Sequence, residues 1–380
     1  MTYRTLARAY DTIFIGTSMI SVLEAVYQSL CGKSVLMVDQ QNEMGGAWVS
    51  LDLFGLHDVE NAVHYLLPDP YASDFMRDVL TWEVIPSEGK YRVFPLPFGG
   101  CWKVPYDDAP GRFVGTMKEA LLRGKKSEVP LSLFRALRQA LFEPRQPSYY
   151  VRGGAPEMLR KVKAILLASD VEVKYSTSIQ RIHIDAESEQ PVRVSAGGED
   201  VVSNTVVFTC GSRIRSLTGA FGAFPVEEKR QRRPAVHLLV RDESPPAMLE
   251  CIFTADPLIK YAHDVTRFTR ESACLAGRKK VLVLAVHEHV RQSDTIYQAT
   301  LDKLKRVGMV GREAVLDDQH WQDVVLPGLD AADLRRLKAA FGSAVECLIT
   351  ENFARGVGHH ARRWATRIRF PEASAEALCS

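Results

Sequence analysis

With 380 residues, of which 46% are hydrophobic and 25% charged, the chain can bury a sizeable core and fits one to three domains. A net charge of +2 provides no global field for nucleic acid or an anionic membrane, and seven cysteines without a C-x-x-C pair argue against a disulfide framework or a structural metal site. Because no run of about twenty apolar residues occurs, we expect no membrane-spanning helix and a cytoplasmic location.

The first predicted elements are a strand, a helix and a second strand. An apolar run at 12–15 ends on Gly16, helical apolar spacing follows, and a second apolar run at 35–38 ends on Asp39. This βαβ pattern is typical of a unit that binds the adenosine half of a dinucleotide, with a pyrophosphate at the helix N-terminus. Asp39 lies twenty-three positions after Gly16, near the separation expected of an acid that holds a ribose hydroxyl.

The turn between the first strand and the helix departs from the G-x-G-x-x-G fingerprint. It reads GTSMIS, so that only Gly16 of the three glycines is present. Ser18 still offers a small residue to a pyrophosphate, and Ser21 still allows fairly close packing of helix on strand. On this turn alone, an ordinary βαβ unit without a ligand therefore remains an alternative interpretation.

A second glycine-rich segment follows the second strand. EMGGAW at 43–48 contains the pair Gly45-Gly46, followed by Ala47 and Trp48. Paired glycines let the backbone pass close to a large flat ligand, so this segment strengthens the prediction of a cofactor site.

Together with two later segments, these motifs resemble a flavoprotein superfamily. GLHDVENAVH at 55–64 keeps the first glycine and the last histidine of a G-x-x-x-H-x-x-G-A-H pattern, and YRVFPLPF at 91–98 resembles a strand leading into a PLPF segment. The superfamily includes UDP-galactopyranose mutase, protoporphyrinogen oxidase, the amine oxidases and the Rab GDP-dissociation inhibitors. The resemblance is clear over about the first hundred residues and implies FAD as cofactor. It also implies that His64 approaches the isoalloxazine ring of the flavin. The alternative is that His64 is a core histidine.

The resemblance implies further contacts in the middle of the chain. Arg152, beside a glycine pair at 153–154, either holds an anionic substrate group or is a surface arginine at a helix start. Ile182 would lie on a strand that carries a hydrophobic contact to the adenine. The segment 205–211, which ends in Cys210 and Gly211, resembles the strand that returns to the Rossmann sheet and ends in a small-residue turn near the pyrophosphate.

The implied fold class is α/β, with a Rossmann-type, NAD(P)-binding-like domain for FAD and an inserted α+β substrate domain that contains an antiparallel sheet. Strand patterns between 236 and 286 suit such a sheet at the floor of a substrate chamber. We assign residues 1–68, 149–215 and 343–380 to the FAD-binding domain. Residues 69–148 and 216–342 then form the substrate, or cap, domain.

The carboxyl end lacks the Gly-Asp pair with which these flavoproteins usually reach the ribityl chain. A divergent flavin site, loss of flavin on the same fold, and truncation of the last helix are the three explanations. The leading functional prediction is an FAD-dependent oxidoreductase that transfers hydride from a small-molecule substrate to flavin. A mutase-like isomerase acting on a sugar nucleotide and a flavin-free binding protein are the alternatives. An anionic or nucleotide-linked substrate and a homodimer are further hypotheses.

Overall fold

A computed structural model of the chain describes residues 8–48, 50–61, 66, 74–86, 89–95, 100–105, 134, 149–185, 187–209, 216–219, 222–224, 229–245, 248–254, 256–328, 331–348, 361, 363 and 364. Within these residues the strands, in chain order, are β1 (Arg8–Ile15), β2 (Val35–Val38), β3 (Leu51–Leu53), β4 (Leu56–Val59), β5 (Val84–Pro86), β6 (Lys90–Pro95), β7 (Cys101–Pro105), β8 (Tyr149–Val151), β9 (Glu172–Lys174), β10 (Ile179–Ile184), β11 (Val192–Ala196), β12 (Glu199–Thr209), β13 (Leu217–Gly219), β14 (Gly222–Ala223), β15 (Lys229–Arg241), β16 (Glu250–Phe253), β17 (Ile259–Asp264), β18 (Lys279–Val286), β19 (Val315–Gly328) and β20 (Val345–Leu348). The α-helices are α1 (Met19–Leu30), α2 (Gly154–Leu167), α3 (Ser272–Leu275), α4 (Asp294–Val307) and α5 (Ala331–Phe341).

A nine-stranded sheet contains the predicted βαβ unit. Its order is β14-β13-β10-β11-β12-β1-β2-β9, and β20 also pairs with β12. β1 runs parallel to both neighbours, so that Ile13 lies opposite Leu36 on one side and Val206 on the other. β9 and β20 extend this parallel part, whereas β10, β11 and the start of β12 form an antiparallel meander.

The two central strands are apolar nearly throughout because both faces of the sheet are covered. On one face, Phe14 and Met37 pack in a core with α1 and α2. On the other face, Ile13 and Leu36 pack in a second core with the meander and α5. Helices α1 and α2 on one side, and the meander with α5 on the other, thus enclose the parallel strands.

Helix α1 is buried almost all round, and its buried side chains Glu24 and Gln28 are hydrogen-bonded. Residues 19–28 are all buried, including the carboxylate of Glu24. Gln28 Nε2 donates to Glu24 Oε1 at 3.1 Å, and Arg363 Nη1 donates to Glu24 Oε2 at 2.6 Å. The segment around Arg363 is thereby fastened to the first helix of the chain.

A seven-stranded sheet forms the second half of the fold. Its order is β19-β15-β18-β17-β16-β6-β7, and every neighbouring pair is antiparallel except β16 with β6. One face packs on α4, where Leu238, Leu284 and Leu301 share a core. A short ribbon of β5 and β8 links the segments around 85 and 150.

Sheet membership divides the chain slightly differently from the predicted domain boundaries. The strands Leu217–Gly219 and Gly222–Ala223 belong to the nine-stranded sheet, and Leu334 and Leu337 of α5 pack against it. These segments lie in the range 216–342 that the sequence division assigns to the cap domain. The division itself stays a prediction.

Candidate functional site

The Gly16 turn lies where β1 ends and α1 begins. Gly16 has a φ of 98°, its N–H donates to Val38 O at 2.8 Å, and a Cβ at this position would have no atom within 4 Å. Ser18 caps α1, because its hydroxyl accepts from Ser21 N at 3.3 Å and lies 2.7 Å from Ser21 Oγ. The turn therefore combines open space at its glycine with the positive end of a helix.

The double glycine passes over the same helix end. Gly45 N donates to Thr17 O at 3.1 Å, and a Cβ at Gly46 would lie 3.8 Å from Ser18 Cα. Gly45 and Gly46 have φ values of 132° and 61°, which side chains other than glycine rarely adopt. Ala47 and Trp48 continue as a short 3-10 turn, and Trp48 packs on the first core.

The structure therefore brings Gly16, Ser18, Ser21, Gly45 and Gly46 together around the start of α1. We call these five residues the cradle. Its open space, backbone amides and helix dipole fit the diphosphate of a dinucleotide.

Asp39, predicted to hold a ribose hydroxyl, makes hydrogen bonds within the protein to Thr17 and Gln41. Its Oδ2 accepts from both the backbone N–H and the hydroxyl of Thr17, at 2.7 and 2.6 Å, and its Oδ1 accepts from Gln41 N at 2.8 Å. The carboxylate thus fastens the Gly16 turn to the end of β2. Only Oδ1 has acceptor capacity left with which Asp39 could accept a hydrogen bond from a ribose hydroxyl.

Of the other predicted contact residues, the structure describes Arg152 and Ile182. Arg152 is exposed, and its Nε lies 2.7 Å from Glu83 Oε1. Ile182 is 0% exposed and packs inside the second core, where its side chain presents no surface to an adenine. His64, Cys210 and Gly211 lie outside the residues that the structure describes.

The sequence did not single out Glu60, which lies buried at the start of α2. Its Oε1 accepts a hydrogen bond from Ala155 N, whereas Oε2 has no hydrogen-bond partner in the described part of the chain. Burial raises the pKa of the Glu60 carboxyl to about 8, and the bond from Ala155 opposes this in part. A Cβ at Gly154 would overlap the Glu60 carboxyl. The glycine pair at 153–154 was therefore the feature of the sequence that could have indicated a close approach of another group to this backbone.

One face of the seven-stranded sheet carries polar side chains in two rows of cross-strand neighbours. We call this the polar face. The first row crosses the sheet through Lys90, Glu250, His263, Val283, His237 and His320. The second row, one pleat further along, crosses through Arg92, Ile252, Tyr261, Ala285, Ala235 and Gln322.

Several of these polar groups are withdrawn from water. Lys90, Arg92 and Glu250 are each less than a tenth exposed, and Glu250 lies 3.9 Å from Lys90 Nζ and 3.8 Å from His263 Nδ1. Burial lowers the pKa of His263 to about 3, and the charge of Lys90 lowers it further. Burial likewise lowers the pKa of His237 to about 3, helped by His320. Both imidazoles are therefore neutral at pH 7.

The alternation of side chains was the sequence signal for the polar face. Lys90 and Arg92 stand two positions apart on β6, as Tyr261 and His263 do on β17. Side chains two apart on a strand share a face. Which strands pair, and in which register, cannot be read from that alternation.

Within the described ranges, no group of three or more His, Cys, Asp or Glu side chains is arranged to hold a metal ion. None of the helices among these residues has the length and apolar character needed to cross a bilayer.

The fold is similar to solved structures over nearly the whole chain. A putative protoporphyrinogen oxidase from Exiguobacterium sp. 255-15 gives a TM-score of 0.62 at 11% identity, with 94% of this chain and 98% of that chain covered. A putrescine oxidase bound to putrescine gives 0.61 at 13% identity, with 94% and 99% covered. The Rab GDI from Plasmodium falciparum gives 0.55 at 13% identity, with 96% and 100% covered. No protein-family model and no curated protein matches the chain.

At such identities the similarity concerns the fold, and it agrees with the architecture of the two sheets. The predicted structural resemblance and fold class are confirmed. The chain has the two-sheet, Rossmann-type α/β fold of these solved structures.

Proposed function

We propose that the chain is an FAD-dependent oxidoreductase that oxidises a small-molecule substrate. The observation that carries the proposal is the cradle, in which Gly16, Ser18 and the Gly45-Gly46 pair surround the N-terminus of α1. Two of the similar folds are an oxidase of protoporphyrinogen and an oxidase of putrescine, which supports the same class of chemistry here. When bound, FAD would supply the acceptor for the hydride.

In this proposal, residues of the chain bind the cofactor and the substrate and orient them. The cradle holds the diphosphate, and Asp39 keeps the turn in place through Thr17. The polar face of the seven-stranded sheet forms the floor for the substrate. His64 and Arg152 stay candidates from the sequence, and Arg152 would have to leave its ion pair with Glu83 to bind a substrate anion.

The test is the binding of FAD to the purified full chain. Oxidised flavin absorbs at about 370 and 450 nm, so a yellow protein with these bands, or one whose Tm rises on addition of FAD, supports the proposal. In Gly16→Ala a methyl group enters the cradle, and we expect FAD to bind at least about tenfold more weakly, equivalent to about 1.4 kcal/mol.

Gly32→Ala is the matched control for that variant. Gly32 lies just beyond the other end of α1, has a φ of 82° and likewise has no atom within 4 Å of a Cβ. Both substitutions carry the backbone strain of a side chain at positive φ, but only the first one fills the cradle. Equal FAD affinities of the two variants, or a colourless chain that FAD does not stabilise, would overturn the proposal.

The flavin-free binding protein is a second candidate, and Asp39 favours it. Because Thr17 and Gln41 use most of the acceptor capacity of this carboxylate, its hold on a ribose is weakened. A colourless chain without an FAD-induced thermal shift selects this candidate. If flavin binds but substrate is converted without consumption of an oxidant, the mutase-like isomerase is favoured instead.

A further inference from the structure

We propose that Ser18 sets the affinity of the cradle for a nucleoside diphosphate and keeps it low enough for the cofactor to exchange. The inference rests on the proposed function, because it concerns the cradle that would hold the diphosphate of FAD. It goes beyond that function by giving one side chain the task of making FAD a dissociable cofactor. Three observations at the start of α1 support it.

The first observation is the position of the Ser18 side chain inside the cradle. A Cβ at Gly46 would lie 3.8 Å from Ser18 Cα and 3.9 Å from Ser18 Cβ, so the serine side chain is a close neighbour of the double glycine. The dinucleotide fingerprint has glycine at the position of Ser18, because the backbone there approaches the pyrophosphate. Gly16 and Gly46 leave the cradle open, whereas Ser18 takes up part of its space.

The second observation is that Ser18 uses one of the N–H groups at the helix start. Its hydroxyl accepts from Ser21 N at 3.3 Å and lies 2.7 Å from Ser21 Oγ. The first N–H groups of a helix have no acceptor within the helix, and these are the groups that bind phosphate. Val22 N donates to Ser18 O at 2.9 Å. The N–H groups of Met19 and Ile20 are therefore the ones that the first turn leaves for a ligand.

The third observation is that the amide before Ser18 is also engaged. Thr17 N donates to Asp39 Oδ2 at 2.7 Å. The chain thus supplies its own acceptors to the N–H groups of Thr17 and Ser21, on both sides of the two that remain. A diphosphate that used the N–H of Ser21 would have to displace the Ser18 hydroxyl. Exchange of one hydrogen bond for another gains less free energy than formation of a new one, so the affinity is reduced.

Calorimetric titration of the full chain with FAD, ADP and adenosine tests the inference. ADP carries the diphosphate without the flavin, and adenosine carries no phosphate. FAD and ADP should both bind Ser18→Gly at least about tenfold more tightly than the parent chain, because the Ser21 N–H is released for a charged acceptor and the side chain no longer fills the cradle. Adenosine should bind both proteins equally. Glycine is nearly as good as serine at a helix N-cap, so the variant should fold.

Ser18→Thr changes the cradle in the opposite direction. Threonine keeps the capping hydroxyl and adds a methyl group, so the space beside Gly46 shrinks while α1 stays capped. FAD and ADP should bind this variant at least about threefold more weakly than the parent chain. Ser293→Gly is the matched control, since Ser293 is the exposed N-cap residue of α4. Loss of its side chain should leave all three affinities unchanged.

The outcomes for Ser18 and for the proposed function are separate. If FAD and ADP bound Ser18→Gly no more tightly than a yellow parent chain, the inference would be overturned while the oxidoreductase proposal survived. If a colourless parent chain gained binding of FAD and ADP through Ser18→Gly, the inference would be supported while the oxidoreductase proposal failed. An equal gain for adenosine, or the same gain in Ser293→Gly, would place the effect away from the diphosphate and overturn the inference.

Discussion

The carboxyl of Glu60 lies against the first turn of α2 and accepts a hydrogen bond from the backbone N–H of Ala155. The two residues are ninety-five positions apart, and the contact joins the end of the β3–β4 hairpin to the helix that covers the nine-stranded sheet. Phe268 and Tyr150 pack in the apolar cluster on the other side of this contact. A carboxyl in such surroundings is held in its protonated form.

Glu60 should make the stability of the chain depend on pH. Its pKa is raised from 4.5 to about 8 by burial, so between these values the folded chain binds a proton that the unfolded chain releases. The contribution of Glu60 to the free energy of unfolding is therefore fully present below pH 4.5 and falls as the pH rises towards 8, by up to about 1.4 kcal/mol per pH unit. In Glu60→Gln, urea unfolding across this range should lose that slope.

Glu83→Gln is the control for this pH dependence. Glu83 is an exposed acid in an ion pair with Arg152, so its substitution should leave the slope unchanged. A Glu60→Gln protein with the same pH profile as the parent chain would contradict the role assigned to Glu60.

Gly154 should tolerate no side chain because of the same contact. A Cβ there would overlap the Glu60 carboxyl and lie 3.0 Å from Phe268 Cβ, at a φ of 66°. Gly154→Ala should lower the free energy of unfolding by about 2–4 kcal/mol, from backbone strain together with overpacking. Gly198→Ala, at a φ of 85° with no atom within 4 Å, carries the strain alone and should cost about 1–2 kcal/mol. If Gly154→Ala and Gly198→Ala lost the same free energy of unfolding in chemical denaturation, the overlap with Glu60 would be relieved in the folded variant.

Thr17 and Asp39 should be energetically coupled in the absence of any cofactor. A double-mutant cycle of Thr17→Val and Asp39→Ala removes the hydroxyl and the carboxylate that lie 2.6 Å apart. We expect a coupling energy of about 1–3 kcal/mol in urea unfolding of the FAD-free protein, because the bond is buried and charge-assisted.

The exposed pair Ser195 and Asp200 gives a comparison for this cycle. A cycle of Ser195→Ala and Asp200→Ala should yield less than about 0.5 kcal/mol, since water competes for both groups. Strictly additive effects at Thr17 and Asp39 would show that the hydrogen bond between the Thr17 hydroxyl and Asp39 does not stabilise the fold.

The sequence was sufficient for the parts of the fold that depend on local pattern. The apolar runs that end at Gly16 and Asp39 predicted β1, α1 and β2, because a strand buried on both faces and an amphipathic helix have distinct periods. The sequence placed the glycine pair at 45–46 just after β2, and the structure shows that Gly45 N donates to Thr17 O in the Gly16 turn. Each of these features lies within about thirty residues of chain, so no distant pairing had to be known.

The rest depended on contacts between distant segments. Asp39 was expected at a ribose, but which hydrogen bonds a carboxylate makes depends on where Thr17 lies after folding. Ile182 has the apolar character of an adenine contact and equally that of a core residue, and only the pairing of β10 shows its burial. The polar face joins segments near 90, 250 and 320, and their register follows from sheet assembly and not from local pattern.

Arg363 should contribute more to stability than an exposed arginine in an ion pair of similar length. Arg363→Met removes the cation at 2.6 Å from the fully buried Glu24 carboxylate and should cost about 3 kcal/mol in chemical denaturation, because the buried carboxylate loses its ion pair with Arg363. Arg77→Met breaks exposed pairs with Asp74 and Asp78 and should cost less than about 1 kcal/mol. Burial raises the pKa of Glu24, so protonation relieves the Arg363 variant, and its deficit should shrink as the pH is lowered. A deficit in Arg363→Met that matches Arg77→Met at every pH would show that the segment around Arg363 is not fastened to α1 in solution.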